Sequence, residues 1–205
     1  MSAASDLEAC IAAGGVAVFP SDTVYGLACD PESAAAVERM YALKGRPPDK
    51  PSAVMFFDAA LAVAALPELG ERTRALTARL LPGGVTLVLP NPRGRFPLAG
   101  GEALGLRVPD VPVLRGARCV VLQSSANVSG GPDARRIEEV PAKIRSGADL
   151  VLDAGVLPGT PSTVVDLRRY EESGEWSVLR EGAVPSAAIA DAARMSSRPR
   201  IPRSS

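Results

Sequence analysis

The chain contains no histidine in 205 residues. That absence excludes a Ser-His-Asp triad, a histidine general base and any histidine metal ligand. Aromatic residues make up only 4% of the sequence, so Val, Leu and Ala have to build the core. Cysteine is scarce: Cys10, Cys29 and Cys119 are far apart, odd in number and without CxxC spacing. They read as buried thiols rather than a zinc site or a disulfide framework, which suits a reducing cytoplasm. No uninterrupted apolar run approaches the ~18 residues of a membrane span. The first residues lack the basic segment and apolar core of a signal peptide, so a cytoplasmic chain without membrane contact is expected. Charge of either sign is in no excess, with Lys+Arg and Asp+Glu each totalling 23. Affinity for nucleic acid then has to come from a local basic patch rather than from the overall field. No GxxxxGK[ST] run and no GxGxxG after a strand is present, which argues against a P-loop and a dinucleotide fold.

What is present fits one folded domain of ordinary size, with 46% hydrophobic and 22% charged residues. Ser5 and Glu8 form a capping-box pattern before a helix that carries Leu7, Cys10 and Ile11 on one face and stops at Gly14-Gly15. Asp30 with Pro31 predicts the start of a second helix, with Val37, Met40 and Tyr41 as its apolar stripe. Asp58 predicts another helix cap, and a further helix ends near Leu81 before Pro82-Gly83. Strands are predicted at Val16–Phe19, Ala53–Phe57, Val85–Leu89, Leu104–Val108, Cys119–Leu122, Leu150–Asp153, Thr163–Leu167 and Trp176–Leu179. Strands outnumber helices without strict alternation. The expectation is a single α/β domain over 1–185 with a twisted, mixed sheet, followed over 186–205 by a short helix and a disordered Ser/Pro/Arg-rich tail.

Several stretches carry polar chemistry. The strand Val16–Phe19 breaks at Pro20 and presents Ser21, Asp22, Thr23 and Tyr25; ligands collect where α/β strands end in polar loops. Asp22 reads as a loop cap. Lys44, Arg46 and Lys50 lie within a proline-stiffened loop, either a polyphosphate cradle or a solvated basic loop. Ser124, Ser125, Asn127 and Ser129 crowd a strand exit before Gly130-Gly131, either as donors to an anion or as a turn that bonds its own backbone. Ser162 stands at the start of the strand Thr163–Leu167, and Arg107 and Arg180 at strand ends, where an arginine is usually a surface residue.

Seven ordered blocks resemble the YrdC-like family of threonylcarbamoyl-adenylate synthases. They are PSDTVYGL at Pro20–Leu27, KGRPPDKP at Lys44–Pro51, LPGGVTLVL at Leu81–Leu89, LRVPD at Leu106–Asp110, SSANVSG at Ser124–Gly130, PSTVVD at Pro161–Asp166 and LREGAVP at Leu179–Pro185. The resemblance implies a concave basic pocket on a twisted sheet. It implies that L-threonine, bicarbonate or CO2 and ATP become threonylcarbamoyl-AMP and pyrophosphate, for use by downstream tRNA-modifying transferases. Lys50, Arg46 and Ser125 would carry catalysis. Lys44, Arg46, Lys50 and Arg180 would hold the ATP phosphates, with Ser125 and Asn127 beside the nucleotide. Thr23 and Ser162 would bind threonine, with Arg107 on its carboxylate, and Tyr25 either packs near the ligand or serves the core. Mg²⁺ would arrive with ATP, with no protein metal cage and no tightly bound cofactor. Met55 departs from the pattern, since many relatives carry histidine near it, and so does Ser52. The chain resembles the short, single-domain type. Two other readings are a double-stranded RNA or tRNA-binding module without catalysis, and a carbamoyl-adenylate enzyme with another acceptor.

Overall fold

Nine short strands rich in Val, Leu and Ala pair into one sheet. The computed structural model describes residues 2–47, 50 and 52–196. Pro48, Asp49 and Pro51 of the cationic loop, and residues 197–205 of the predicted tail, lie outside the described residues. The strands are β1 (Ala17–Pro20), β2 (Tyr25–Cys29), β3 (Ala53–Met55), β4 (Val85–Pro90), β5 (Ala103–Arg107), β6 (Val121–Ser125), β7 (Leu150–Val151), β8 (Thr163–Asp166) and β9 (Ser177–Arg180). Their spatial order is β7-β1-β2-β6-β3-β5-β4-β8-β9. Pairs β1–β7, β3–β5 and β4–β8 run parallel and the others antiparallel, so the sheet is mixed as expected. The helices are α1 (Ala3–Ala12), α2 (Ala34–Lys44), α3 (Ala59–Ala65), α4 (Glu71–Leu80), α5 (Ala142–Gly147), α6 (Tyr170–Ser173) and α7 (Ser186–Ser196).

Successive strand residues face opposite sides of a sheet. One side carries Val18, Leu27, Leu122, Val54, Leu106, Leu87 and Val165, buried with Met40 of α2, Leu76 of α4 and Ile189 of α7 in the main core. The other side is divided. Ala17, Phe19, Ala28, Met55 and Val121 pack against Leu7 and Ile11 of α1 and Leu114. The same side continues through Gly26, Ala53, Ser125, Thr86 and Val164, which line a cavity whose wall contains no helical residue. Its floor is made of small groups. A Cβ on Gly26 would strike the Phe19 ring, and one on Gly105 would press to 3.1 Å from the Cβ of Ala53.

Local differences from the sequence reading have physical causes. Ser2, not Ser5, caps α1, its Oγ accepting from the Ser5 N–H at 3.2 Å. The helix predicted from Asp30 starts at Ala34 with Ser33 as cap, because the Asp30 carboxylate accepts from Glu32 N in a turn of its own. The strand expected at Cys119–Leu122 is β6, shifted to Val121–Ser125, so Ser124 and Ser125 are strand residues. Strand β2 pairs antiparallel with β1, at Tyr25–Cys29 where the sequence reading placed no strand. Helix α4 has no side-chain cap of its own. Glu171 of α6 replaces one, accepting from Thr73 N at 2.8 Å.

Gly182 joins β9 to the segment before α7 at a point where no Cβ fits. An added Cβ would collide with the Pro161 carbonyl oxygen and the Ser162–Thr163 peptide, all backbone. Gly182→Ala is expected to lower stability by about 1–3 kcal/mol, read from denaturant unfolding, by levering β9 away from β8.

Candidate functional site

The turn between β1 and β2 is held by one hydroxyl. Ser21 Oγ accepts from Thr23 N and Val24 N at 3.2 Å each and donates to Val24 O at 2.7 Å. This presents Asp22 and Thr23 to Arg107 at the end of β5. Arg107 Nη2 donates to Asp22 Oδ1 at 2.5 Å and to Thr23 Oγ1 at 2.7 Å. Arg107 is 4% exposed, and a buried guanidinium requires a counter-charge. Asp22 is therefore an ion-pair partner and not only the loop cap that the sequence suggested; its other oxygen does accept from Asp110 N at 3.2 Å. Burial pushes the Arg107 pKa down, and Asp22 opposes the shift. Among the described residues its buried Nε has no partner. Its register partner on β3 is Met55, which is fully buried.

The loop after β6 is closed by the backbone of a single residue. Tyr25 O accepts from Ala126 N and Tyr25 N donates to Ala134 O, each at 2.8 Å. The Tyr25 ring belongs to the main core, and its hydroxyl lies 2.9 Å from both Asp153 Oδ1 and Gly155 O. Lys44, the last residue of α2, is 1% exposed and turns its ammonium into this loop. Its Nζ donates to Asn127 O at 2.8 Å, to Asn127 Oδ1 at 2.9 Å and to Ser125 O. Three oxygens match the three protons of the ammonium. Burial pushes its pKa down to about 8, with the Arg46 charge adding to the shift. Asn127 Oδ1 also accepts from Ser125 Oγ at 2.7 Å, and Asn127 Nδ2 donates to Gly131 O at 2.5 Å. This segment is thus a turn that bonds its own backbone, with Lys44 as its pin.

A third group comes from β8, β9 and β4. Ser162 Oγ lies 2.8 Å from Thr86 Oγ1, and Arg180 Nη2 donates to Ser162 O at 2.8 Å. The three groups surround a cavity of about 240 Å³. Of the residues singled out from sequence, Ser21, Tyr25, Arg46, Ser52, Arg107, Ser124, Ser125, Ser162 and Arg180 line it. Thr23 sits behind Arg107, and Lys44 and Asn127 sit beneath the loop, outside that wall. Lys50 is exposed and also outside the wall; its carbonyl accepts from Tyr41 Oη at 3.3 Å and Arg46 Nε at 3.4 Å. Arg46 lies over the Tyr41 ring at 5.8 Å. Sequence reasoning missed Thr86, Gln123 and Asp133 in the wall. Thr86 did carry a signal, a polar residue inside the apolar strand Val85–Leu89.

The family model Sua5/YciO/YrdC, described as telomere recombination, matches residues 9–182. The chain belongs to the Sua5/YciO/YrdC family. It is 33% identical over 158 residues to the threonylcarbamoyl-AMP synthase of Bacillus subtilis, covering 73% of this chain and 46% of that protein. It is 34% identical over 175 residues to the threonylcarbamoyl-AMP synthase of Chromohalobacter salexigens, covering 82% and 94%. The chain therefore spans about half the length of the first relative and nearly all of the second. The crystal structure of Pyrococcus abyssi Sua5 complexed with L-threonine superposes with a TM-score of 0.81 at 27% identity, over 92% of this chain and 56% of that one. The α/β fold with a twisted mixed sheet is the Sua5/YciO/YrdC fold.

Two expectations follow for this family member. Asp22→Ala strands the Arg107 guanidinium and is expected to cost about 3–5 kcal/mol of unfolding free energy. Lys44→Met leaves the loop oxygens without their donor and is expected to cost about 2–4 kcal/mol. The unfolded chain holds the Lys44 proton up to its ordinary 10.5, whereas the folded chain releases it near 8. Between those values the unfolded state binds more protons, so Lys44 makes stability rise with pH. Unfolding curves at pH 7.5 and 10 should show this increment in the wild type and lose it in Lys44→Met.

Proposed function

We propose that the protein is an ATP-dependent L-threonylcarbamoyladenylate synthase. The observation that carries the reading is the meeting of Arg46, Arg107 and Arg180 with the hydroxyls of Ser125, Ser162 and Thr86 in one small cavity. Relatives named threonylcarbamoyl-AMP synthase, and a related structure holding L-threonine, supply the substrates this reading takes. A double-stranded RNA module needs cations spread along a surface, and these converge instead.

The chemistry asks for alignment and charge stabilisation, not for a protein nucleophile. The threonine amine, having lost a proton, attacks CO2 to form a carbamate. A carbamate oxygen then attacks the α-phosphorus of ATP, the bond from that phosphorus to the bridging oxygen breaks, and pyrophosphate leaves. In this reading Arg46 and Arg180 face the phosphates from opposite sides, and Lys50 approaches from the exposed loop. Arg107 takes the threonine carboxylate in its planar fork, with Thr23 and Ser162 as hydroxyl partners. Ser125 sits where nucleotide and carbamate meet. Lys44 and Asn127 act one layer back by fixing the loop that carries Ser125. Among the described residues no group of three or more Cys, Asp or Glu could cage a metal. Mg²⁺ would arrive on the phosphates and offset their charge. The product would pass to a tRNA-modifying transferase. Among the described residues no helix is long and apolar enough to cross a membrane.

The test is pyrophosphate release from ATP and bicarbonate with L-threonine, with L-serine and with no amino acid. Threonine-dependent release is expected, falling about a hundredfold in Arg46→Ala. Release that ignores the amino acid points to another acceptor. Met55 motivates that arm, because it is the register partner of Arg107 on the neighbouring strand and departs from the family pattern the sequence resembles.

A further inference from the structure

The cavity wall holds three arginines and, among the described residues, a single carboxylate, that of Asp133. Asp133 is half-buried, and among the described residues it makes no ion pair and no side-chain hydrogen bond. It is not the counter-ion of Arg107, which already has Asp22. It is also not carried on a loose tip. The next residue, Ala134, is 1% exposed and its carbonyl holds Tyr25 N, while Gly131 O, two residues before, holds Asn127 Nδ2. Pro132 between them has a fixed φ. The main chain that carries Asp133 is therefore held in place at the wall, and its carboxylate is within electrostatic reach of Lys44.

A carboxylate in the wall of such a cavity is a poor neighbour for a polyphosphate, since like charges at short range repel. A divalent cation between them reverses the sign. Mg²⁺ is commonly bound by one or two carboxylates together with substrate phosphates. We propose that Asp133 supplies the protein's carboxylate oxygen to the divalent cation carried by the nucleotide phosphates, in the same wall as Arg46 and Arg180. The proposal rests on the reading of this cavity as an ATP site. Asp133 then makes the protein select the metal complex over free ATP, as a specificity determinant for the form of nucleotide accepted.

Calorimetric titration of ATP, without threonine, into wild type, Asp133→Asn and Asp133→Ser tests this, once with MgCl2 and once with EDTA. Wild type is expected to bind ATP at least about tenfold more tightly with Mg²⁺ than without. In both variants that ratio should shrink to about threefold or less, and in EDTA both should bind ATP at least as tightly as wild type. Equal Mg²⁺ ratios in all three proteins overturn the assignment and leave the ATP reading standing. Weaker binding by the variants in EDTA also overturns it, because the carboxylate then contacts the nucleotide directly. Absence of ATP binding by wild type under both conditions overturns the ATP reading and the assignment together.

Discussion

The pair formed by Arg107 and Asp22 is the interaction around which the site is arranged. A guanidinium at the end of β5 can be buried only with a fixed carboxylate beside it. That carboxylate comes from the turn between β1 and β2, and β5 is the third strand from β2 across the sheet in the order β1-β2-β6-β3-β5. Holding it there requires the Ser21 turn, which also delivers Thr23 to the same guanidinium. One ion pair thus joins the two sides of the cavity and sets its width.

The cavity itself follows from how one side of the sheet is shared. Helix α1 and Leu114 cover the part bearing Phe19, Met55 and Val121. Beyond it the rows continue as Gly26, Ala53 and Gly105, where a larger side chain would meet a neighbour. Polar side chains on the remaining strands are then within reach of one another without a helix above them. The cations in the wall keep oxygen partners of their own. Arg180 is seated on Ser162, and Arg46 reaches the Lys50 carbonyl. Anchoring of this kind lowers the conformational cost of receiving an anion.

Much of this was legible in the sequence, and the failures are instructive. Strands β4 and β5 were found within a residue or two because bulky apolar residues recur at every second position, Val85, Leu87 and Leu89 in one and Leu104 and Leu106 in the other. Strand β2 was missed because Gly26 and Ala28, which form the cavity side, weaken its alternation. The boundary of β6 slipped because Gln123, Ser124 and Ser125 look like loop, and polar residues on a strand signify a ligand face only once the fold is known. Lys44 read like its neighbours Arg46 and Lys50, yet it closes a helix whose last turn lies under the loop after β6. The partnership of Asp22 with Arg107 spans 85 positions, and no local pattern announces it. The cap that Glu171 gives to α4 is hidden for the same reason.

The strand order has a consequence for synthesis on the ribosome. Strand β1 pairs with β2 at once, but its other neighbour is β7, and the outer neighbour of β2 is β6. At about 5–20 residues per second, the first hairpin emerges with both edges bare and waits for residues 121–125 and 150–151. Strand β4 likewise gains β8 only after residue 163. Non-local pairings of this kind fold slowly because loop closure precedes any gain from the contact. The nascent chain therefore carries unpaired β-edges for most of its translation, and the pairs β1–β7, β4–β8 and finally the antiparallel β8–β9 complete the sheet.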